Sequence, residues 1–135
     1  MGERNRWLDG LLILIVLTHL GVTVLHGRAH AGAAVPMSTA ANLFIITVIV
    51  VAPLLGAVVL WFFSTQAGAW LLALSLGASF MFGVVNHFIL ESPDHVARIA
   101  SDWKGLFTAT AVLVALTEAL GSGLAFWRAA HARVR

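Results

Sequence analysis

The chain has 135 residues, of which 60% are hydrophobic and only 10% charged. A soluble domain of this size has too much surface to hide so large an apolar fraction, so the natural solvent for most of the chain is lipid. The formal net charge of +2 comes from eight Lys and Arg against six acids, gathered mostly near the chain ends; this is not the concentrated basic face of a nucleic-acid binder, and with no cysteine there is no disulfide or thiolate site.

The first apolar run, "LDGLLILIVLTHLGVTVL", leads into "HGRAHAG". A membrane-crossing helix needs about 20 residues, and the run predicts one over 8–30. His19, Thr23, His26 and His30 follow at steps of four, three and four residues. On a helix that spacing lays them along one face, which should meet protein or trapped water rather than lipid. Ala29-His30-Ala31 after an apolar stretch also has the pattern of a secretory cleavage site. The stretch is long for a signal peptide and is interrupted by His19, so it reads as a retained span.

A loop with Pro36 follows, and Ser38-Thr39 forms a helix cap before a second span over 41–63. Pro53, in mid-span, should kink that helix. "STQAG" at 64–68 reads as a short connection to a third span over 69–91. Ser75, Ser79, Gly83, Asn86 and His87 give the third span its own polar stripe, with Glu91 one turn beyond. The segment "ESPDHVARIASDWK" is the most polar in the chain. Ser92-Pro93 ends the third helix, and Asp94 and His95 follow at once. The fourth span, 105–127, carries Glu118 near mid-depth beside Gly121-Ser122-Gly123. An unpaired ionised carboxylate there costs several kcal/mol, so it needs a proton or a partner; His19, at similar depth, is the expected one. Asp9, at the edge of the first span, is expected to meet Arg6 or water. The five tryptophans fall near span ends, as an interfacial belt would.

Backbone groups in lipid must be satisfied within the chain, and alternating polarity is absent, so the spans are helices rather than strands. The expected fold is an all-α integral membrane protein, a single four-transmembrane-helix bundle over 1–135. Arg4, Arg6, Arg128, Arg133 and Arg135 flank the termini, against Arg28, Arg98 and Lys104 in the two longer loops. The positive-inside rule then puts both termini in the cytoplasm and the longer loops in the periplasm or exterior of a bacterial inner membrane.

In that topology His26 and His30 of the first helix stand level with His87 and Glu91 of the third. Paired i, i+4 ligands from two helices suit a divalent ion. Zn²⁺ fits best, with Fe²⁺, Mn²⁺ and Cu²⁺ as alternatives. His95 is a possible additional ligand, Asp94 a further ligand or ligand-orienting group, and a haem bridged by His26 and His87 is a further alternative. Glu118, His19 and Asp94 are the candidates for catalysis. The sequence thus points to a metal-binding membrane protein, extending to a metalloenzyme for an apolar or lipid-like substrate. The other readings are an accessory subunit of a larger respiratory or photosynthetic complex that contacts a haem or pigment, and a proton or small-ion transporter using His19 and Glu118. The expected partners are the lipid bilayer and further copies of the chain or a larger membrane complex.

Overall fold

The computed structural model describes residues 6–132. Arg4, Arg133 and Arg135, which enter the charge asymmetry, lie outside the described residues. Four helices are each long and apolar enough to cross a membrane: α1 Arg6–Gly32, α2 Thr39–Phe63, α3 Thr65–Ile89 and α4 Ser101–Ala130. Among the described residues there is no strand. α1 and α4 outrun the expected spans at both ends, the helices continuing past the apolar stretch through interfacial residues such as Arg6, Trp7, Trp103 and Arg128.

The α2–α3 connection is shorter than expected. The hydroxyl of Ser64 accepts from the amide of Ala67 at 3.2 Å and so caps α3 directly after α2 ends. Ser38 caps α2 in the same way, accepting from Ala41 N at 3.1 Å. α1 ends in a left-handed residue, Ala34 (φ 52°). Val35 N–H reaches back to His30 O and Ala34 N–H to Ala31 O, each at 3.2 Å, the paired bonds of a Schellman stop. Glycine is the usual residue there, and an alanine costs roughly 1 kcal/mol in that conformation.

Around Pro53 the structure shows a change of winding in α2. It offers no N–H to the carbonyl of Ile49, four residues back. Residues 45–51 take the wider i→i+5 pitch, with Ala52 N–H bonded to Thr47 O. Ile49 O instead meets Nε2 of His19 at 3.2 Å. The α2 defect and the α1 histidine thus satisfy each other.

α4 packs most extensively on α3 and then on α1, while α2 lies chiefly on α3 and only lightly on α1. α1 and α3 therefore face each other diagonally across the bundle. Small residues set the close seams. A β-carbon on Gly68 would fall against the backbone of Leu60, and one on Gly32 against the indole of Trp103. The half of the bundle nearer the termini is filled by Leu12, Val16, Leu60, Leu72 and Ala125. There Asp9, expected to meet Arg6 or water, is turned inward to α4. It is fully buried, and Arg128 Nε donates to its Oδ1 at 2.9 Å, because the last turn of antiparallel α4 delivers the guanidinium beside it. Arg6 lies over the Trp61 ring at 5.6 Å.

The Gly68 seam gives a direct test. Gly68→Ala must push α3 off the α2 backbone, an overpacking cost of about 1–3 kcal/mol, and is expected to lower the thermal midpoint of the detergent-solubilised protein by several degrees. Gly105→Ala, where a β-carbon meets nothing within 4 Å, is expected to leave the midpoint unchanged or slightly raised. Equal midpoints for the two variants would contradict this packing.

Candidate metal centre

His26 and His30 are one turn apart on α1, and both rings point across the bundle. His87 comes from the opposite side, in the last turn of α3, where residues 85–89 widen to an i→i+5 pitch. Such wide turns recur at functional sites. The three Nε2 atoms converge. His26 Nε2 lies 3.1 Å from His87 Nε2 and 3.2 Å from His30 Nε2. Ligand nitrogens on a tetrahedral zinc, each about 2.05 Å from the ion, stand about 3.3 Å apart. One ligand atom from each of the three rings lies within 4.8 Å of the others.

The far side of each ring decides what the near side offers. Thr110 of α4 donates its hydroxyl proton to Leu106 O at 2.7 Å. Its oxygen is left to accept from His26 Nδ1 at 2.9 Å. His26 therefore carries its proton on Nδ1 and presents a lone pair at Nε2. His87 Nδ1 faces two acceptors of Asp94, the carbonyl oxygen at 3.2 Å and Oδ1 at 3.3 Å, so its Nε2 is likewise a lone pair. Two lone pairs at 3.1 Å repel unless a cation or a proton lies between them. His30 is the adjustable member. Its Nδ1 has no partner among the described residues, and its Nε2 is 3.2 Å from Asp94 Oδ1.

Asp94 is buried in the segment after α3 and stands beside both His30 and His87. Neither approach is well directed, so Oδ1 completes no hydrogen bond. Burial opposes its charge, but the nearby His87, His30 and His26 imidazoles outweigh that and hold the carboxyl below the usual carboxylate range. Phe107, fully buried, closes the cluster from the loop side, its ring centroid 4.9, 4.7 and 5.4 Å from those of His26, His30 and His87.

Other expected site residues lie elsewhere. α3 stops at Ile89 and Leu90 is extended, so Glu91 never reaches the next turn of the His87 face. It is exposed and paired with Arg98 at 3.1 Å. His95 caps the short 3₁₀ turn Val96–Arg98, its Nδ1 accepting from Ala97 N at 3.1 Å, and does not join the cluster. His19 is not bonded to Glu118. It bridges Ile49 O and, at 3.4 Å, the Thr117 hydroxyl, tying α1 to α2 and α4.

A cavity of about 350 Å³ lies against the imidazoles. Glu118 lines it, fully buried, with both carboxyl oxygens unpartnered. The other unpartnered buried side-chain atoms among the described residues are Thr23 Oγ1, His30 Nδ1 and Asp94 Oδ1, and these residues line the same cavity. A larger recess between α1 and α2, lined by Gly10, Leu54 and Trp61 among others, is almost wholly apolar and offers no reactive group.

Thr110 is the site residue that sequence reasoning misses. Nothing in the string separates it from Thr108 or Thr117; only the rotation of α4 against α1 does. No family model, curated protein or solved structure matches the chain, and the site has to be read from its own chemistry.

Thr110→Val keeps the shape but removes the acceptor that holds the His26 proton on Nδ1. Loss of such an orienting partner costs 10–100-fold in metal affinity. Competition titration with a zinc chelator is expected to show a loss in that range with the thermal midpoint little changed. Thr108→Val is expected to leave affinity as it was. Wild-type affinity in Thr110→Val would remove the orienting role.

Proposed function

We propose that the chain is an integral membrane protein whose three imidazoles, His26, His30 and His87, hold a divalent metal ion, zinc in the first place. One observation carries the reading: Nε2 of His26 and of His87 face each other at 3.1 Å while both Nδ1 atoms are engaged with acceptors. Imidazole is a borderline ligand that suits zinc, copper, iron and nickel. Three protein nitrogens with a fourth position open to a cavity is the pattern of a catalytic rather than a closed structural zinc site. When bound, the ion would supply Lewis acidity and a bound water of lowered pKa. Asp94 would orient His87 and His30 as an ionised carboxylate, while Phe107 keeps bulk water off the ligands. The substrate, on this reading, is apolar or lipid-like and reaches the centre through the cavity.

The sidedness follows from the Lys and Arg bias. Arg6 and Arg128 sit at the terminal end of the bundle, with Arg4, Arg133 and Arg135 beyond it in sequence, so the termini are cytoplasmic and the centre opens near the opposite face of an inner membrane. The bis-histidine haem reading suits the geometry poorly. Axial imidazoles must stand on opposite faces of a macrocycle, and 3.1 Å between the nitrogens leaves no slot for one. The proton-relay reading loses its first member, since His19 is tied to Ile49 and Thr117.

Metal analysis of the purified protein tests the proposal. One zinc per chain is expected in the wild type, falling to near zero in His26→Ala and in His87→Ala. Glu91→Gln and His95→Gln are expected to keep it. Cobalt in place of zinc is expected to give the intense visible bands of a four-coordinate site. Metal content indifferent to His26 and His87 would overturn the assignment.

A further inference from the structure

The cavity beneath the imidazoles holds more polar chemistry than a metal site uses. Glu118 has no role in the centre described above, yet it is fully buried, lines the cavity and leaves both oxygens without a partner. Thr23 Oγ1, on the α1 wall, is in the same condition. A carboxyl and a hydroxyl at this depth are costly to leave unbonded, and bundle cores usually satisfy such groups with neighbours, as His19, Ser75, Ser79 and Ser122 are satisfied here. The unpartnered groups are therefore shaped toward an occupant.

The position of Gly83 relates this polar spot to the centre. A β-carbon there would stand 3.8 Å from Glu118 Oε2 and 4.0 Å from His87 Cδ2. One methyl-sized point touches both, so a ligand bonded to Glu118 lies directly beside the imidazole cluster. The rest of the wall is largely apolar, with Ile45, Ile49, Phe82 and Val114. The cavity reaches the surface along the lightly packed α1–α2 seam, where the lining residues Gly27, Ala31 and Asn42 are exposed. Its volume of about 350 Å³ falls at the small end of ligand cavities, enough for a polar group and part of an aliphatic chain.

Charge selects among polar groups. A charged headgroup of either sign would be attracted by one part of the site and repelled by the other, an anion drawn to the ion and set against the carboxyls, a cation the reverse. An uncharged hydroxyl meets neither penalty and can both donate to and accept from a carboxyl. We propose that this cavity binds a medium-chain aliphatic alcohol, its hydroxyl on Glu118 and its chain running out between α1 and α2. The proposal rests on the metal-centre reading for its setting and names the substrate class of that site.

The test uses the full chain, zinc-loaded, in phospholipid nanodiscs, with a decanol carrying a mid-chain diazirine as photolabel. Labelling is expected to saturate and to map by peptide mass spectrometry to the cavity walls, at Ile45, Phe82 or Val114. Decanol is expected to compete at least about tenfold better than decane, the worth of a buried hydrogen bond to a carboxyl. Glu118→Leu is expected to weaken labelling by a similar factor, and Gly83→Leu to abolish it, with zinc retained in both. Should Gly83→Leu fail to fold, Gly83→Ala, whose methyl fits at ordinary contact distance, is expected to weaken labelling several-fold. No saturable labelling, label spread over lipid-facing residues, equal competition by decane, or labelling untouched by the Gly83 and Glu118 changes would each overturn the alcohol site. Zinc bound without specific labelling sinks the alcohol site alone; specific labelling in a protein that binds no zinc sinks the metal reading alone.

Discussion

Two imidazole nitrogens 3.1 Å apart, each with its proton committed to the opposite side of its ring, form the constraint from which the rest of the molecule follows. Nothing about packing requires such an arrangement, and in a low-dielectric interior it is unfavourable without positive charge between the rings. Much of the upper half of the bundle serves to hold it. Thr110 spends its own proton on the α4 backbone so that its oxygen can receive one from His26. The segment after α3 folds back so that the Asp94 carbonyl accepts from His87 and its carboxylate stands 3.3 Å away. The strained Ala34 stop ends α1 just past His30. Phe107 packs against all three rings at once.

The buried polar groups divide cleanly. One set fastens helices: His19 on the carbonyl that Pro53 leaves free, Ser122 on Ala73 O at 2.8 Å, Arg128 on Asp9. Interhelical hydrogen bonds of this kind are modest individually but fix rotation and register. The other set, Thr23, His30, Asp94 and Glu118, is left open, and all four line the one cavity beside the imidazoles. This separation between satisfied and unsatisfied groups, more than the presence of histidine as such, marks where chemistry is located.

Much of the architecture was legible in the string, because the physics behind it is local. Apolar length defines a span, Ser38 announces a helix start, Pro53 disrupts α2, and steps of three and four residues align His19, His26 and His30. The pairing of His26 and His30 with His87 was legible too, since depth along parallel helices can be counted from their ends. What failed depends on where a helix stops. Extending α3 by one turn made Glu91 a neighbour of His87. In the structure α3 ends at Ile89, the chain turns outward to Arg98, and Asp94 arrives from the loop instead. Rotation about the helix axis was the other blind spot. Depth alone placed His19 beside Glu118, but their faces diverge, and the proline-freed carbonyl of α2 was a partner that no count of residues along α1 or α4 could show.

The diagonal placement of α1 and α3 has a consequence for assembly. These helices share no extensive seam; α2 and α4 stand between them on either side. Were these four helices to enter a bilayer separately, they would find one another through lateral neighbours, α1 to α4, α4 to α3 and α3 to α2. An ion gripped by His26, His30 and His87 would join α1 and α3, which these contacts leave apart. It would act as a late cross-brace along the diagonal of a bundle whose weakest side is the α1–α2 flank.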